Sequence, residues 1–219
     1  PLLPSHCVCG HNFTVEHDMS CPNGGFPSIC HNKIRDLTAK VLTESCHNVG
    51  IKPPLQPISD EHFRHKTANS ENGARLDIAA DNFWGNDRQR AFFDIRVFNP
   101  HAPSYRNKST MQCCRLNEQE KKRVYEGIEH GSFAPLVFSI SGGMGPIATT
   151  VYKRMASLIA EKQNHPYSST LFWLRCKLSF SLLRSAVMCI RGSRSSYHRP
   201  TNMFNEAIDL SCSESRISN

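Results

Sequence analysis

Two aspartates interrupt runs of apolar residues. Asp77 sits in Arg75-Leu76-Asp77-Ile78-Ala79, and Asp94 sits in Phe92-Phe93-Asp94-Ile95-Arg96-Val97-Phe98. Aspartate is a poor strand former. Burying a carboxylate costs several kcal/mol unless it is paired or bound to a cation. Both runs nevertheless read as strands, over 74–83 and 90–98, with a turn at Trp84-Gly85-Asn86-Asp87 between them. Consecutive strands joined in this way can set the two carboxylates face to face. Hard oxygen ligands suit Mg2+ or Mn2+, and a dication on two carboxylates activates water for phosphodiester hydrolysis. The alternative is that each aspartate is solvated on an edge strand or pairs with Arg75, Arg90 or Arg96. A helix expected over 116–129 carries Lys121, which can be aimed at the carboxylates to orient water or neutralise phosphate. The alternative for Lys121 is a solvated, charged helix face.

A second group of residues suits a different metal. Cys7-x-Cys9, then His17, then Cys21 make a Cys3His set over fifteen residues. Three thiolates and an imidazole fill a zinc tetrahedron and leave no position for substrate, so the site is expected to be structural Zn2+. His6, His11 and Cys30 are possible substitutes, and a reduced, metal-free loop is the alternative. Cys46, Cys113, Cys114, Cys176, Cys189 and Cys212 are scattered and read as ordinary small residues.

Several elements must position these groups. Residues 1–30 are rich in Cys, His, Gly and Pro and form the expected zinc-knuckle segment. Ile34, Leu37, Val41 and Leu42 recur at helical spacing between His31 and Asn48. The prolines at 53, 54 and 57 break that helix, a short extended piece follows at 55–58, and 59–73 reads as a polar loop. After the two acidic strands and the Lys121 helix come a strand at 135–140 and a tight, flexible Ser141-Gly142-Gly143-Met144-Gly145 connection. A helix over 147–162 starts behind Pro146. Residues 168–192 form a long helix, expected to be a core helix with basic residues on its outer side. The tail 193–219 is polar and expected to be disordered. The order predicts an α/β core, residues 31–192, with helices packed on a mixed sheet.

The bulk numbers bound the partners. The 219 residues carry a net charge of +7, which points to an anionic partner such as nucleic acid. Arg175, Lys177 and Arg184 interrupt the long helix and exclude it as a membrane span. The start, Pro-Leu-Leu-Pro-Ser-His-Cys, lacks the basic and apolar regions of a secretion signal and an initiator Met. The chain is therefore expected to be an intracellular piece of a longer one.

Together these strings resemble a family. Leu76-Asp77-Ile78 and Phe93-Asp94-Ile95-Arg96, in an α-β-β-β-α-β order, resemble the PD-(D/E)XK restriction-endonuclease-like nucleases. More closely, the chain resembles the C-terminal region of non-LTR retrotransposon polyproteins, where such a nuclease follows the reverse transcriptase. In that family a Cys-Cys-His-Cys knuckle precedes a helix opening with an Arg-His-Asn-like motif, matched by Cys30-His31-Asn32-Lys33-Ile34-Arg35-Asp36. The nuclease lysine has migrated onto the helix after the second acidic strand, with a tyrosine one turn later, matching Lys121 and Tyr125. The resemblance spans about Pro4 to Ser195. This sequence departs at Leu76, where the motif has Pro, at Arg96, where the simple pattern has Lys, and at Cys30, where the family tends to have Arg.

The resemblance implies a Mg2+-dependent DNA endonuclease that nicks target DNA, so that a 3′-hydroxyl primes reverse transcription. It implies catalytic Asp77, Asp94, Lys121 and Tyr125, a nuclear location, contact with element RNA and a covalently linked reverse transcriptase. No membrane partner is expected. Arg96, Arg175, Lys177, Arg184 and Arg191 are the expected nucleic-acid contacts. The rival reading is a non-catalytic nucleic-acid-binding module, or an inactive remnant, in which the knuckle and the basic helix bind without the carboxylates.

Overall fold

The computed structural model describes residues 5–7, 9–21, 23, 26–53, 76–85, 89–125 and 131–192; the side chains of 131 and 189–192 lie outside that description. The extended piece at 55–58, the loop at 59–73, the second half of the turn at Asn86-Asp87, the helix end at 126–129 and the tail 193–219 also fall outside it.

The helices follow from apolar spacing and from their caps. A four-residue turn, α1 (Val15–Asp18), is capped by the Thr14 hydroxyl. The helix α2 (Phe26–Thr43) lies between the sheet and α5 and buries Cys30, Ile34, Ala39, Val41 and Leu42 over a wide arc. It starts before the expected domain boundary at residue 30, because the Cys30 side chain already belongs to the core. It also ends earlier than expected, at Thr43, so that 47–51 is free to form a strand.

That strand, β1 (His47–Ile51), runs along one edge of the sheet. Asn48 takes a left-handed conformation (φ 49°) and donates from Nδ2 to Asp81 Oδ2 at 2.9 Å. A bulge here and a His-Asn-Val-Gly-Ile pattern with no fully buried residue hide the strand from any alternation rule. β2 (Ile78–Asp81) and β3 (Arg90–Phe98) follow, with β3 where the sequence predicts it.

α3 (Thr110–Val124) begins six residues before the expected Leu116. A capping box sets its start: Gln112 N–H donates to Ser109 Oγ at 3.2 Å, and Ser109 N–H donates to Gln112 Oε1 at 2.8 Å. β4 (Gly131–Ser139), α4 (Pro146–Gln163) and α5 (Tyr167–Gly192) complete the chain. Asn164 closes α4 in the left-handed conformation (φ 54°).

The four strands form one mixed sheet in the order β1-β2-β3-β4. The first two pairings are antiparallel and β3–β4 is parallel. Successive side chains on a strand point to opposite faces, and the two faces here are covered differently. Ala91, Phe93 and Ile95 of β3 and Ala134, Leu136 and Phe138 of β4 pack with α2, α4 and α5 into the main core. Phe98 and Val137 point the other way, against Cys113 and Cys114 of α3. The protein is thus an α/β structure with α2 and α4 against one face of the sheet, α5 packed over those two helices, and α3 on the other face. Asp94 shares the α3 face.

The inner face of α5 buries Leu174, Leu178 and Leu182, and Arg175, Lys177 and Arg184 lie outside the core, as expected. What the sequence does not announce is that the same outer side also exposes Phe172, Trp173, Phe180, Leu183 and Val187. No helix among the described residues is long and apolar enough to cross a membrane.

Candidate functional site

Strand register brings the two aspartates together. Ile78 pairs with Phe93, so the antiparallel register places Asp77, one residue before β2, opposite Asp94. The Ile95 N–H donates to Asp77 Oδ2 at 2.7 Å, which fixes that carboxylate across the strand pair. Both side chains are buried, Asp77 to 8% and Asp94 to 5% exposure.

Two helices then reach toward the pair. His31, in the second turn of α2, has Nε2 2.9 Å from Asp77 Oδ2. Lys121, in the last turn of α3, has Nζ 2.6 Å from Asp94 Oδ2. Tyr125, the cap residue ending α3, donates from its hydroxyl to Asp94 Oδ1 at 3.4 Å. Its ring stacks near Phe133 with centroids 4.9 Å apart, and Lys121 Nζ lies 5.8 Å from its centroid. Lysine and tyrosine four residues apart share one face of a helix, so both arrive at the same carboxylate.

The charges respond to this packing. Burial pushes the Asp94 carboxyl up, the Lys121 ammonium pulls it back, and the neighbouring Asp77 adds to the rise, leaving a net upward shift. Burial also pushes on Asp77, but hydrogen bonds from His31 and the Ile95 amide outweigh it and the net shift is downward. The hydrogen bond to Asp77 raises the His31 imidazole against the opposing effect of burial. Burial, reinforced by the Asp94 and Asp77 charges, holds the Tyr125 phenol well above its ordinary range. Two carboxylates on one face with environments that separate their proton affinities are a frequent arrangement at sites that handle charge.

Not all of this was foreseen. Asp77, Asp94, Lys121 and Tyr125 come together as the sequence suggests. The sequence marks His31 only as part of a helix-opening motif, and its contact with Asp77 spans 46 residues of chain, beyond the reach of local pattern. Arg96, expected on nucleic acid, pairs its guanidinium with Glu120 Oε2 at 2.8 Å on the rim of the site.

Glu118, which the sequence does not single out, is buried two turns before Tyr125 on α3. Its Oε1 accepts the Ile147 N–H at 2.9 Å and so fills the N-terminus of α4. A glycine-rich connection ahead of a helix is a common phosphate cradle, but a carboxylate occupies that place between β4 and α4. A Cβ at Gly145 would collide with Glu118 Oε1, which explains the glycine there.

The N-terminal segment supplies a second centre. One ligand atom each from Cys7, Cys9, His17 and Cys21 lies within 4.8 Å of the others. A zinc tetrahedron with Zn–S of about 2.3 Å has edges of about 3.7 Å, so the cluster is compatible with a zinc ion. Cys9 Sγ is 3.0 Å from His17 Nε2 and 3.3 Å from His11 Nδ1. The His11 backbone amide leads the effects that hold the Cys9 thiol down, to about 6, as a metal-binding thiolate needs.

The possible substitutes fare unequally. His11 stacks on His17 beside the cluster. His6 faces Ser5 instead. Cys30 lies inside the main core, where burial pushes its thiol up to about 11, and cannot serve as a ligand. The eight cysteines whose side chains are described are all free thiols.

Asn99, just beyond β3, ties this segment to the sheet through Nδ2 donating to Ser20 Oγ at 2.9 Å. A cavity of about 160 Å3 remains beside the tie, lined by Met19, Pro27, Val97 and Ile140 among others. Arg175, Lys177 and Arg184 lie on α5, which packs in the opposite layer from α3, so they are not neighbours of the carboxylates. The Arg191 side chain lies outside the described residues.

No protein-family model matches the chain, and no curated protein matches it in sequence.

Proposed function

We propose that the chain is a metal-dependent DNA endonuclease domain of the restriction-endonuclease-like type, acting on target DNA beside a covalently linked reverse transcriptase. One observation carries this reading: Asp77 and Asp94 face each other on adjacent strands, with Lys121 against Asp94. Acid, acid and lysine converging on one face suit the hydrolysis of a phosphodiester.

The donor set fits a hard dication. Asp94 Oδ2 is held by Lys121 Nζ at 2.6 Å, and Oδ1 has only the long bond from the Tyr125 hydroxyl at 3.4 Å, so carboxylate oxygen remains for a cation. Asp77 and Asp94 would hold Mg2+ or Mn2+, which supplies charge for activating water and the scissile phosphate. Lys121 neutralises developing negative charge at the phosphate or orients the attacking water. The Ile95 amide and His31 keep the Asp77 carboxylate ionised and fixed in direction. Tyr125, packed against Phe133, holds Asp94 through Oδ1. The Cys3His segment folds around zinc and adds a polar surface for nucleic acid, where element RNA is a further partner. A nuclear location belongs to the same proposal.

Nicking of supercoiled plasmid in Mg2+ or Mn2+ tests it. Asp94→Asn is expected to lower the rate by at least about 100-fold, with DNA binding retained. A wild-type chain that binds DNA without nicking it removes the catalytic reading.

A second reading has its own observation. Each carboxylate already has a protein partner beside it, the His31 imidazole on Asp77 and the Lys121 ammonium on Asp94. Such paired carboxylates suit a non-catalytic nucleic-acid-binding module. That module would bind with a steep salt dependence and ignore substitutions at Asp77 and Asp94.

A further inference from the structure

The outer face of α5 has an order that neither the core nor the carboxylate site uses. Trp173, Cys176, Phe180, Leu183 and Val187 alternate at spacings of three and four residues, and Ile190 continues the spacing in sequence. This is the a/d repeat by which one helix receives another. Phe180 and Leu183 are 60% and 59% exposed, far above ordinary core residues. The opposite face, through Leu174, Leu178 and Leu182, is already committed to the domain core. One helix therefore carries two apolar faces, and one has no partner among the described residues.

The charges beside the seam are one-sided. Lys177 and Arg184 follow the d positions, and Arg191 continues the seven-residue recurrence in sequence. The helix contains no acidic residue. Lys177 Nζ lies 3.8 Å above the Trp173 ring, which keeps the cation at the border of the seam. A second copy of this chain suits the seam poorly. Antiparallel pairing sets these cations against their own equivalents, and parallel pairing sets them against Phe172, Ser179 and Ala186, which offer no charge. Flanking charges of this kind select partner and orientation.

We propose that this face of α5 docks an amphipathic helix of a different protein or domain, with apolar a and d residues and glutamate or aspartate along the flank that meets Lys177 and Arg184. Pairing covers the exposed aromatics and sets acidic groups against Arg184 and against Lys177, which within the chain feels only Glu44 as an opposite charge. The seam from Trp173 to Val187 spans about 21 Å at 1.5 Å per residue, long enough for two heptads.

Fluorescence anisotropy with two labelled peptides tests this. Both have about four heptads with leucine at a and d; one carries glutamate at the flanking positions and the other lysine. Each peptide's own like charges discourage self-pairing. The wild-type chain is expected to bind the glutamate peptide at least about tenfold tighter than the lysine peptide. Phe180→Glu with Leu183→Glu should abolish binding, while thermal melting verifies the fold. Arg184→Glu leaves the seam apolar and should reduce the preference by about tenfold. Equal binding of the two peptides overturns the proposal, as does binding of neither. So does sedimentation of the wild-type chain as a dimer that Leu183→Glu returns to monomer.

Discussion

Lys121 reaches from the last turn of α3 to Asp94 in the middle of β3, with Nζ 2.6 Å from Oδ2. The carboxylate is almost fully buried and the lysine keeps about a quarter of its side chain in solvent. Removing the lysine leaves a buried charge without compensation, which is costlier than removing both partners. Lys121→Met is expected to lower the unfolding free energy by about 2–4 kcal/mol. The pair Lys121→Met with Asp94→Asn should recover much of that loss, giving a coupling of about 1 kcal/mol or more in a double-mutant cycle. Urea unfolding of the four proteins checks it, and additive losses would contradict a direct pair.

His31 makes the corresponding contact on Asp77 and gives a second prediction. His31→Ala removes one donor from a buried carboxylate that keeps the Ile95 amide. The expected cost is about 1–2 kcal/mol. His31→Gln retains a donor at similar reach and should restore part of the stability. In the nicking assay the alanine variant should lose more activity than the glutamine variant. Equal behaviour of the two would mean that the imidazole fills space without holding the carboxylate.

How far the sequence discloses this site follows from where each residue's environment is encoded. Asp94 is legible because its neighbours Phe92, Phe93, Ile95 and Val97 declare a buried strand on their own. Lys121 and Tyr125 are legible once α3 is recognised, since helical spacing puts them on one face. His31 is not legible as a site residue, because its contact depends on how α2 crosses the sheet. β1 is obscured by a left-handed asparagine and an exposed edge. The early start of α3 was written in Ser109-Thr110-Met111-Gln112, a capping-box string that carries little hydrophobic signal. On α5 the spacing of leucines announced a core face, but two apolar faces on one helix merge into a single apolar stretch when read along the chain.

Glu118 provides a prediction in pH. Burial raises its carboxyl above the ordinary value despite the amide hydrogen bonds it accepts. Such a group ionises more readily in the unfolded chain than in the folded one. Its contribution to stability therefore declines as pH rises from the unfolded value of about 4.3 through the raised folded value. Glu118→Gln keeps an acceptor for the Ile147 amide and has no charge to desolvate. The stability of the variant relative to wild type should grow between about pH 4 and pH 7, read from urea midpoints. A difference independent of pH would show that the carboxylate is not strained by burial. Gly145→Ala should instead be destabilising at every pH, by about 1–3 kcal/mol, since its methyl collides with the same carboxylate.

The zinc cluster and the sheet are joined by Asn99, and that joint can be tested together with the metal. If zinc folds the segment from Cys7 to Cys21, the purified chain carries about one zinc per molecule, measurable by mass spectrometry of the metal. Cys21→Ser should lose it. With the cluster intact, Asn99→Ala removes the bond to Ser20 and is expected to cost about 1 kcal/mol. After chelation the segment loses the frame that presents Ser20, because a segment of this size has too small a core to fold without its staple. Asn99→Ala should then cost measurably less. The two perturbations are coupled only if the metal positions the Ser20 side of the joint. An Asn99→Ala cost unchanged by chelation would mean that packing under Met19 and Pro27, rather than the metal, seats the segment on the sheet.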